Sequence, residues 1–184
     1  PLRILLAEDN KINQRYATRL LERRGHAVVV AGNGREVLEQ IDVSTQRPFD
    51  LILMDVQMPE MDGFEATTIL RAREVGTDRH LPIVALTAHA MKGDRERCLA
   101  GGFDEYVTKP IQSDKLFVAI EKMVPSRPED ETSSEVPFSP DSSDSKPPPQ
   151  DGFLDGKTLL VRLGDDTDLL VELIALYQEE APRL

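Results

Sequence analysis

Leu51-Ile52-Leu53-Met54-Asp55-Val56-Gln57-Met58-Pro59-Glu60-Met61-Asp62-Gly63 opens with four apolar residues that do not alternate with polar ones. A strand with one wet face alternates, so this unbroken run reads as a strand covered on both faces. It stops at a carboxylate, Asp55. Pro59 to Gly63 then supply turn residues before apolar positions return at helical spacing from Phe64 to Leu70. Strand, charged end, turn and helix make the unit from which parallel sheets wrapped by helices are built.

Four more runs repeat the unit: Leu2 to Ala7, Ala27 to Val30, Ile83 to Leu86 and Tyr106-Val107. Ile12, Tyr16, Ala17, Leu20 and Leu21 mark a first helix, with Gly25 as its stop. Val37, Leu38 and Ile41 mark a second, and Leu116, Ile120, Met123 and Val124 the last. The segment from Lys92 to Ala100, closed by Gly101-Gly102, has the fewest core anchors, which makes it a candidate for movement. The pattern predicts an α/β fold, a doubly wound five-stranded parallel sheet over residues 1–125.

From Pro125 to about Gln150 the composition turns to Pro, Ser, Asp and Glu, including Pro147-Pro148-Pro149. Such a stretch buries too little apolar surface to offset its ordering entropy, so 126–152 is expected to be a disordered or semi-extended linker. Helical spacing resumes over 153–184, with Asp155 as a cap, Gly164 as a stop and Asp166 or Thr167 as the next cap. Leu159, Leu160, Leu163, Leu169, Leu170, Leu173, Ile174 and Tyr177 form stripes that can pack on the first domain or pair with a second copy, a homodimer. They can also stay partly unfolded. Because the chain starts at Pro1 and ends at Leu184 within this pattern, it reads as a piece of a longer protein.

The net charge of -11 is concentrated late in the chain: residues 1–125 hold 17 basic and 19 acidic side chains, residues 126–184 hold 5 and 14. That balance lacks the basic excess that neutralises phosphates, so nucleic acid is not an expected partner. No apolar stretch approaches the roughly 18 residues of a membrane span. With no signal-peptide pattern and a single cysteine, Cys98, the fragment reads as cytoplasmic, in a reducing compartment. Cys98 itself reads as a small, partly buried helix residue.

Ligands of open parallel sheets bind beyond the carboxyl ends of the strands. Glu8-Asp9, Asp55, Thr87 and Lys109 all fall at such ends. Singly, Glu8-Asp9 could cap a helix, Asp55 could belong to a turn, and Lys109 could face solvent. Together they outline one polar site. Three carboxylates brought within about 4 Å at an effective dielectric near 20 repel by on the order of 4 kcal/mol per pair. A hard divalent cation removes that cost, and Mg2+ suits a few carboxylates with several retained waters. Asp9 and Asp55 are expected as direct ligands, Glu8 as a ligand through water and the Gln57 carbonyl as a further donor. Asp55 can then attack phosphorus and form an acyl phosphate, with Lys109 and the Thr87 hydroxyl on the phosphoryl oxygens. Tyr106 is expected to follow the motion of Thr87, and Pro110 to fix the turn, cis or trans, that aims Lys109.

Ile4-Leu5-Leu6-Ala7-Glu8-Asp9-Asn10, Leu53 to Gly63, Ile83-Val84-Ala85-Leu86-Thr87-Ala88 and Tyr106-Val107-Thr108-Lys109-Pro110 resemble the receiver domain of response regulators in two-component signalling. The resemblance implies a flavodoxin-like strand order, 2-1-3-4-5. It also implies Mg2+-dependent acceptance of a phosphoryl group by Asp55 from a phosphohistidine, with later loss to water or to another histidine. Asn10-Lys11-Ile12-Asn13-Gln14 and Thr87-Ala88-His89-Ala90-Met91 are similar to receivers attached to hybrid sensor histidine kinases. Residues 153–184 resemble the opening helices of a histidine phosphotransfer domain, through Leu163-Gly164-Asp165-Asp166 and Glu179 to Leu184. The implied partners are therefore a histidine kinase domain and a histidine phosphotransfer domain, both of the same parent protein, which can itself be membrane-anchored.

Two other classes use similar residues. An aspartate-nucleophile phosphatase typically has a second acid two residues after the nucleophile, where this chain has Gln57. A receiver-like interaction module would carry no phosphoryl group at all. Gly32-Asn33-Gly34 lacks the third glycine of a dinucleotide loop and follows the second strand, so nucleotide binding is not expected. Of the histidines, His89 follows Thr87 closely enough to modulate the site, whereas His26 and His80 read as turn and loop residues.

Overall fold

The computed structural model describes residues 1–44, 46–88 and 92–124. The expected linker, the helices expected after residue 153, and His89 lie outside the described residues. Five strands alternate with five helices: β1 (Arg3–Ala7), α1 (Lys11–Arg23), β2 (Ala27–Ala31), α2 (Gly34–Val43), β3 (Leu51–Asp55), α3 (Gly63–Glu74), β4 (Ile83–Thr87), α4 (Lys92–Ala100), β5 (Glu105–Thr108) and α5 (Ser113–Met123). All strand pairs are parallel and the order is β2-β1-β3-β4-β5, the doubly wound α/β sheet expected.

The unbroken apolar runs arise because the central strands are covered twice. Every residue of β3 and β4 is buried. Successive side chains point to opposite faces, so Leu51 and Leu53 join Ile4 and Leu6 under α1 and α5, while Ile52 and Met54 join Leu5 and Ala7 under α2, α3 and α4. Each fully buried Leu or Ile contributes on the order of 1.5–3 kcal/mol relative to exposure. The edge strand β2 is only partly covered, in keeping with its shorter apolar run.

Helix boundaries follow local chemistry. Asn10, rather than Glu8 or Asp9, caps α1, its side chain accepting from the amides of Ile12 (2.9 Å) and Asn13 (3.1 Å). Gly25, at φ +79°, ends α1 as anticipated, with its amide donating to Glu22 and that of His26 to Leu21. Asp62 and Glu65 form a reciprocal capping box on α3. The Cys98 side chain is buried, while Arg95, Glu96, Arg97, Leu99 and Ala100 of α4 remain exposed, the weak anchoring that the sequence suggests. Among the described residues, no helix is long and apolar enough to cross a membrane.

Candidate functional site

The strand order reverses direction at β1, whose neighbours β2 and β3 lie on either side, and the crevice beyond these carboxyl ends is where such sheets bind ligands. Glu8 and Asp9 follow β1, Asp55 ends β3, Thr87 ends β4 and Lys109 follows β5. One carboxylate oxygen each from Glu8, Asp9 and Asp55 lies within 4.8 Å of the others. Glu8 is 1% exposed, Asp55 and Thr87 are 5% exposed, and Asp9 faces solvent. The cluster is therefore buried at its base and open at its rim.

Lys109 reaches into this base. Its Nζ lies 2.5 Å from Asp55 Oδ2 and 2.6 Å from Glu8 Oε2. The Lys109 amide donates to the Thr87 carbonyl at 2.7 Å, and a cis Lys109–Pro110 bond forms the turn behind it. Asp55 Oδ1 accepts from the Gln57 amide at 3.0 Å. Gln57 thus shows its amide turned to Asp55, while the metal role expected of it belongs to its carbonyl. Gly63 is required close by: a Cβ there would stand 2.3 Å from the Asp55 carbonyl oxygen, so a larger residue would push the end of β3 aside.

Glu8 is held from α1. Its Oε1 accepts from Asn13 Nδ2 (3.0 Å) and the Asn10 amide (3.3 Å), while Gln14 Nε2 donates to its backbone carbonyl (2.6 Å). These second-layer contacts escape a reading focused on charged residues, although Asn10 before helical spacing is a capping signal in the sequence. Glu8 Oε2 meets the Lys109 charge but takes no aligned hydrogen bond from a described residue. Such a buried oxygen, beside two further carboxylates, is what a hard cation would use. The donor set fits Mg2+, which takes oxygen ligands and keeps waters on its open side.

Burial is the main influence on the two buried acids. It raises the pKa of Glu8 and of Asp55 above the usual carboxylate range, against the pull of Lys109; the Asn13 hydrogen bond also pulls Glu8 down, and the Gln57 amide pulls Asp55 down. Neighbouring negative charge adds to the rise, from Asp55 on Glu8 and from Asp9 on Asp55. For Lys109, burial favours the neutral amine, yet the hydrogen bond to Asp55 and the close charges of Asp55 and Glu8 together outweigh it and raise its pKa. One lysine does not neutralise three acids.

A cleft of about 600 Å³ opens beside Asp9, Gln57 and Thr87, with Phe64 and Arg97 on its wall. Arg97 lies over the Phe64 ring at 5.1 Å. Neither residue stands out in the sequence, because α3 and α4 approach each other only in the fold. Tyr106 is half-buried on the α2, α3 and α4 side of the sheet. Of the histidines, His26 accepts from the Leu2 amide at 3.2 Å, and burial lowers its pKa. His80 sits between Glu74 and Asp104, far from the cluster at the opposite ends of the strands.

The model of the response regulator receiver domain family matches residues 4–121. The chain belongs to that family. Its receiver domain is 43% identical over 126 residues to the "Hybrid signal transduction histidine kinase I" of Dictyostelium discoideum, covering 67% of this chain and 7% of that protein. It is 42% identical over 148 residues to "Histidine kinase 1" of Arabidopsis thaliana, covering 64% of this chain and 12% of that protein. The chain thus spans a small part of these relatives. Among solved structures, the receiver domain of a sensor histidine kinase from Pseudomonas aeruginosa, with a magnesium ion in its active-site cleft, superposes with a TM-score of 0.57 at 35% identity. That match covers 68% of this chain and 98% of the other. The receiver is homologous to those of hybrid histidine kinases, and its acidic triad of Glu8, Asp9 and Asp55 is consistent with a Mg2+-binding phosphoacceptor site.

Proposed function

We propose that Asp55 is the phosphoryl acceptor in a phosphorelay and that Asp9, Asp55, Glu8 through water and the Gln57 carbonyl hold Mg2+. The observation that carries this reading is the Asp55 carboxylate, buried yet facing the acidic rim, with Lys109 on one oxygen and the Gln57 amide on the other. An Asp55 oxygen attacks phosphorus of a phosphoimidazole, the P–N bond breaks, and the imidazole leaves with the electron pair and takes up a proton. When bound, the cation would screen the approaching phosphoryl oxygens from the three acids. Lys109 shares that work, and the Thr87 hydroxyl donates to a phosphoryl oxygen once the group has arrived.

The added charge of about -1.5 to -2 draws Thr87 inward. Tyr106 then rotates and the sparsely anchored α4 shifts, which changes the surface formed by α4, β5 and α5. Moving such an equilibrium from 1:99 to 99:1 takes about 5.5 kcal/mol of differential interaction, within reach of a few charge-assisted hydrogen bonds. The donor is a phosphohistidine of a cytoplasmic kinase domain in a longer hybrid sensor kinase. Residues 126–152 act as linker and 153–184 begin the phosphotransfer domain that receives the group. The receiver boundary near residue 125 is supported by the family match, which ends at residue 121.

Incubation with a small phosphodonor and Mg2+, read by intact mass, tests the assignment. Wild type is expected to gain one phosphoryl unit and Asp55→Asn none. An adduct in both, or in neither, overturns it. Sustained turnover of a generic phosphomonoester would favour the phosphatase reading.

A further inference from the structure

The buried acids of the cluster offer few free oxygens. Glu8 Oε1 accepts from Asn13 Nδ2 at 3.0 Å and from the Asn10 amide at 3.3 Å. A carboxylate oxygen has about two lone-pair directions, so these donors use both. Oε2 alone is left, 2.6 Å from Lys109 Nζ and without an aligned hydrogen bond from any described residue. Asp55 repeats the arrangement: Oδ1 accepts from the Gln57 amide at 3.0 Å, and Oδ2 lies 2.5 Å from Lys109 Nζ.

The Glu8 backbone is tied on both sides as well. Its amide donates to the Ala31 carbonyl at 3.0 Å, and its carbonyl accepts from Nε2 of the buried Gln14 at 2.6 Å. Turning the carboxylate to present both oxygens would break the bonds to Oε1, and Glu8 is 1% exposed, so water offers no ready replacement. Of the two donors on Oε1, the Asn10 amide belongs to the backbone and only the Asn13 amide belongs to a side chain. Asn13 therefore decides whether Glu8 presents one oxygen or two.

That choice separates two hard cations. Mg2+ demands a near-ideal octahedron of about six oxygens, whereas Ca2+ takes about six to eight and readily uses both oxygens of one carboxylate. Building on the proposed Mg2+ site of Glu8, Asp9 and Asp55, on which the inference rests, we infer that Asn13 is a positioning residue that sets the preference of this cluster for Mg2+ over Ca2+. Asn13 acts through Glu8: by holding Oε1 it withholds the second oxygen that Ca2+ would take.

The test is equilibrium binding of Mg2+ and of Ca2+ to the full 184-residue chain, without phosphodonor, read from the amide resonances of residues 8–14 and 55–57. Wild type is expected to bind Mg2+ more tightly than Ca2+, and the reverse order overturns the inference. In Asn13→Ala the ratio of the Ca2+ Kd to the Mg2+ Kd should fall about tenfold, the low end of what partners of metal ligands contribute. A fall smaller than threefold, or a rise, overturns it. The α1 cap survives this change, because the Asn13 backbone amide makes the 3.1 Å contact to Asn10 Oδ1. Gln14→Ala frees the Glu8 carbonyl but keeps both donors on Oε1, so its ratio should stay within threefold of wild type. Equal loss of preference in the two variants overturns the inference, since a loosened α1 would then be the cause. A wild type that binds neither ion, or an Asp9→Asn variant that binds Mg2+ as wild type does, overturns the Mg2+ site itself. Mg2+ binding that Asp9→Asn abolishes, with a ratio that Asn13→Ala leaves unmoved, overturns the role of Asn13 alone.

Discussion

The two ends of the sheet treat charge in opposite ways. At the amino ends of β4 and β5, Arg71 donates to Glu74 and Asp104, each at 2.7 Å, and to the carbonyls of Leu81 and Gly102. Those two carboxylates also accept from the Leu81 and Ile83 amides, each at 2.7 Å, and both meet His80. Each carboxylate is matched by Arg71 and a backbone amide, so donors and acceptors are balanced within the chain. At the carboxyl ends, three carboxylates converge on one lysine, and Glu8 Oε2 lacks an aligned donor among the described residues. The balanced end needs nothing more to be stable. The unbalanced end stands to gain from a partner from outside, and that deficit is the physical sign of a ligand site.

Breaking the balanced end should have the largest effect on stability. Arg71→Ala leaves two carboxylates and two carbonyls without their cation, and should lower unfolding free energy by roughly 3 kcal/mol, the low end for a broken buried pair. Urea denaturation would measure it. The Mg2+ response of the folded variant should be unchanged, since Arg71 is remote from the acidic cluster. A variant that loses its Mg2+ response along with its stability would deny the separation of the two ends.

At the unbalanced end, the partner itself should supply the next largest effect. Mg2+ at a hundred times its Kd should stabilise wild type by about 2.7 kcal/mol, measured as a shift in the same urea transition. Asp9→Asn and Asp55→Asn should lose most of that increment. If either variant responds like wild type, the three carboxylates do not hold the ion together.

The contrast was only half legible in the sequence. Both coverings follow from the unbroken apolar runs of Leu51 to Met54 and Ile83 to Leu86, because burial on both faces dictates residue type at every position, whereas the strand order is what the family resemblance implies. Glu8, Asp9, Asp55, Thr87 and Lys109 could be found together because parallel strands deliver their ends to one edge. The residues that hold Glu8 were harder. Asn13 and Gln14 are ordinary polar helix residues until α1 is docked, and Arg97 joins Phe64 only when α3 and α4 meet. The Arg71 network was invisible for the same reason: its partners lie 3 to 33 residues away, and no spacing rule links them.

Proton linkage gives a smaller effect with a definite sign. Glu8 and Asp55 have raised folded-state pKa values, burial being the main cause, so the folded chain binds protons more readily than the unfolded one. Their contribution to stability is fully present below about pH 4 and declines as pH rises through the raised values. Lys109, also raised, supports the fold until the pH climbs past the ordinary lysine range. Without divalent ions, Asp55→Asn should match wild type near pH 4 and exceed it by about 1 kcal/mol at pH 7, because relief of repulsion of up to about 4 kcal/mol per pair is largely offset by loss of a partner for Lys109. Urea titrations in a chelator at the two pH values would show it, and an advantage that shrinks toward pH 7 would contradict the sign.

His80 sharpens the comparison from the other side. Both of its ring nitrogens face carboxylates, Glu74 Oε2 at 3.2 Å and Asp104 Oδ1 at 2.6 Å, yet its side chain is 56% exposed. Water already solvates the imidazole, and Arg71 already hydrogen-bonds both acids from the buried side. His80→Gln should therefore change unfolding free energy by less than about 0.5 kcal/mol at neutral pH, as exposed ion pairs do. A loss comparable to that of Arg71→Ala would mean that the balance at this end depends on the histidine, and that the pairing of Arg71 with Glu74 and Asp104 is not sufficient by itself.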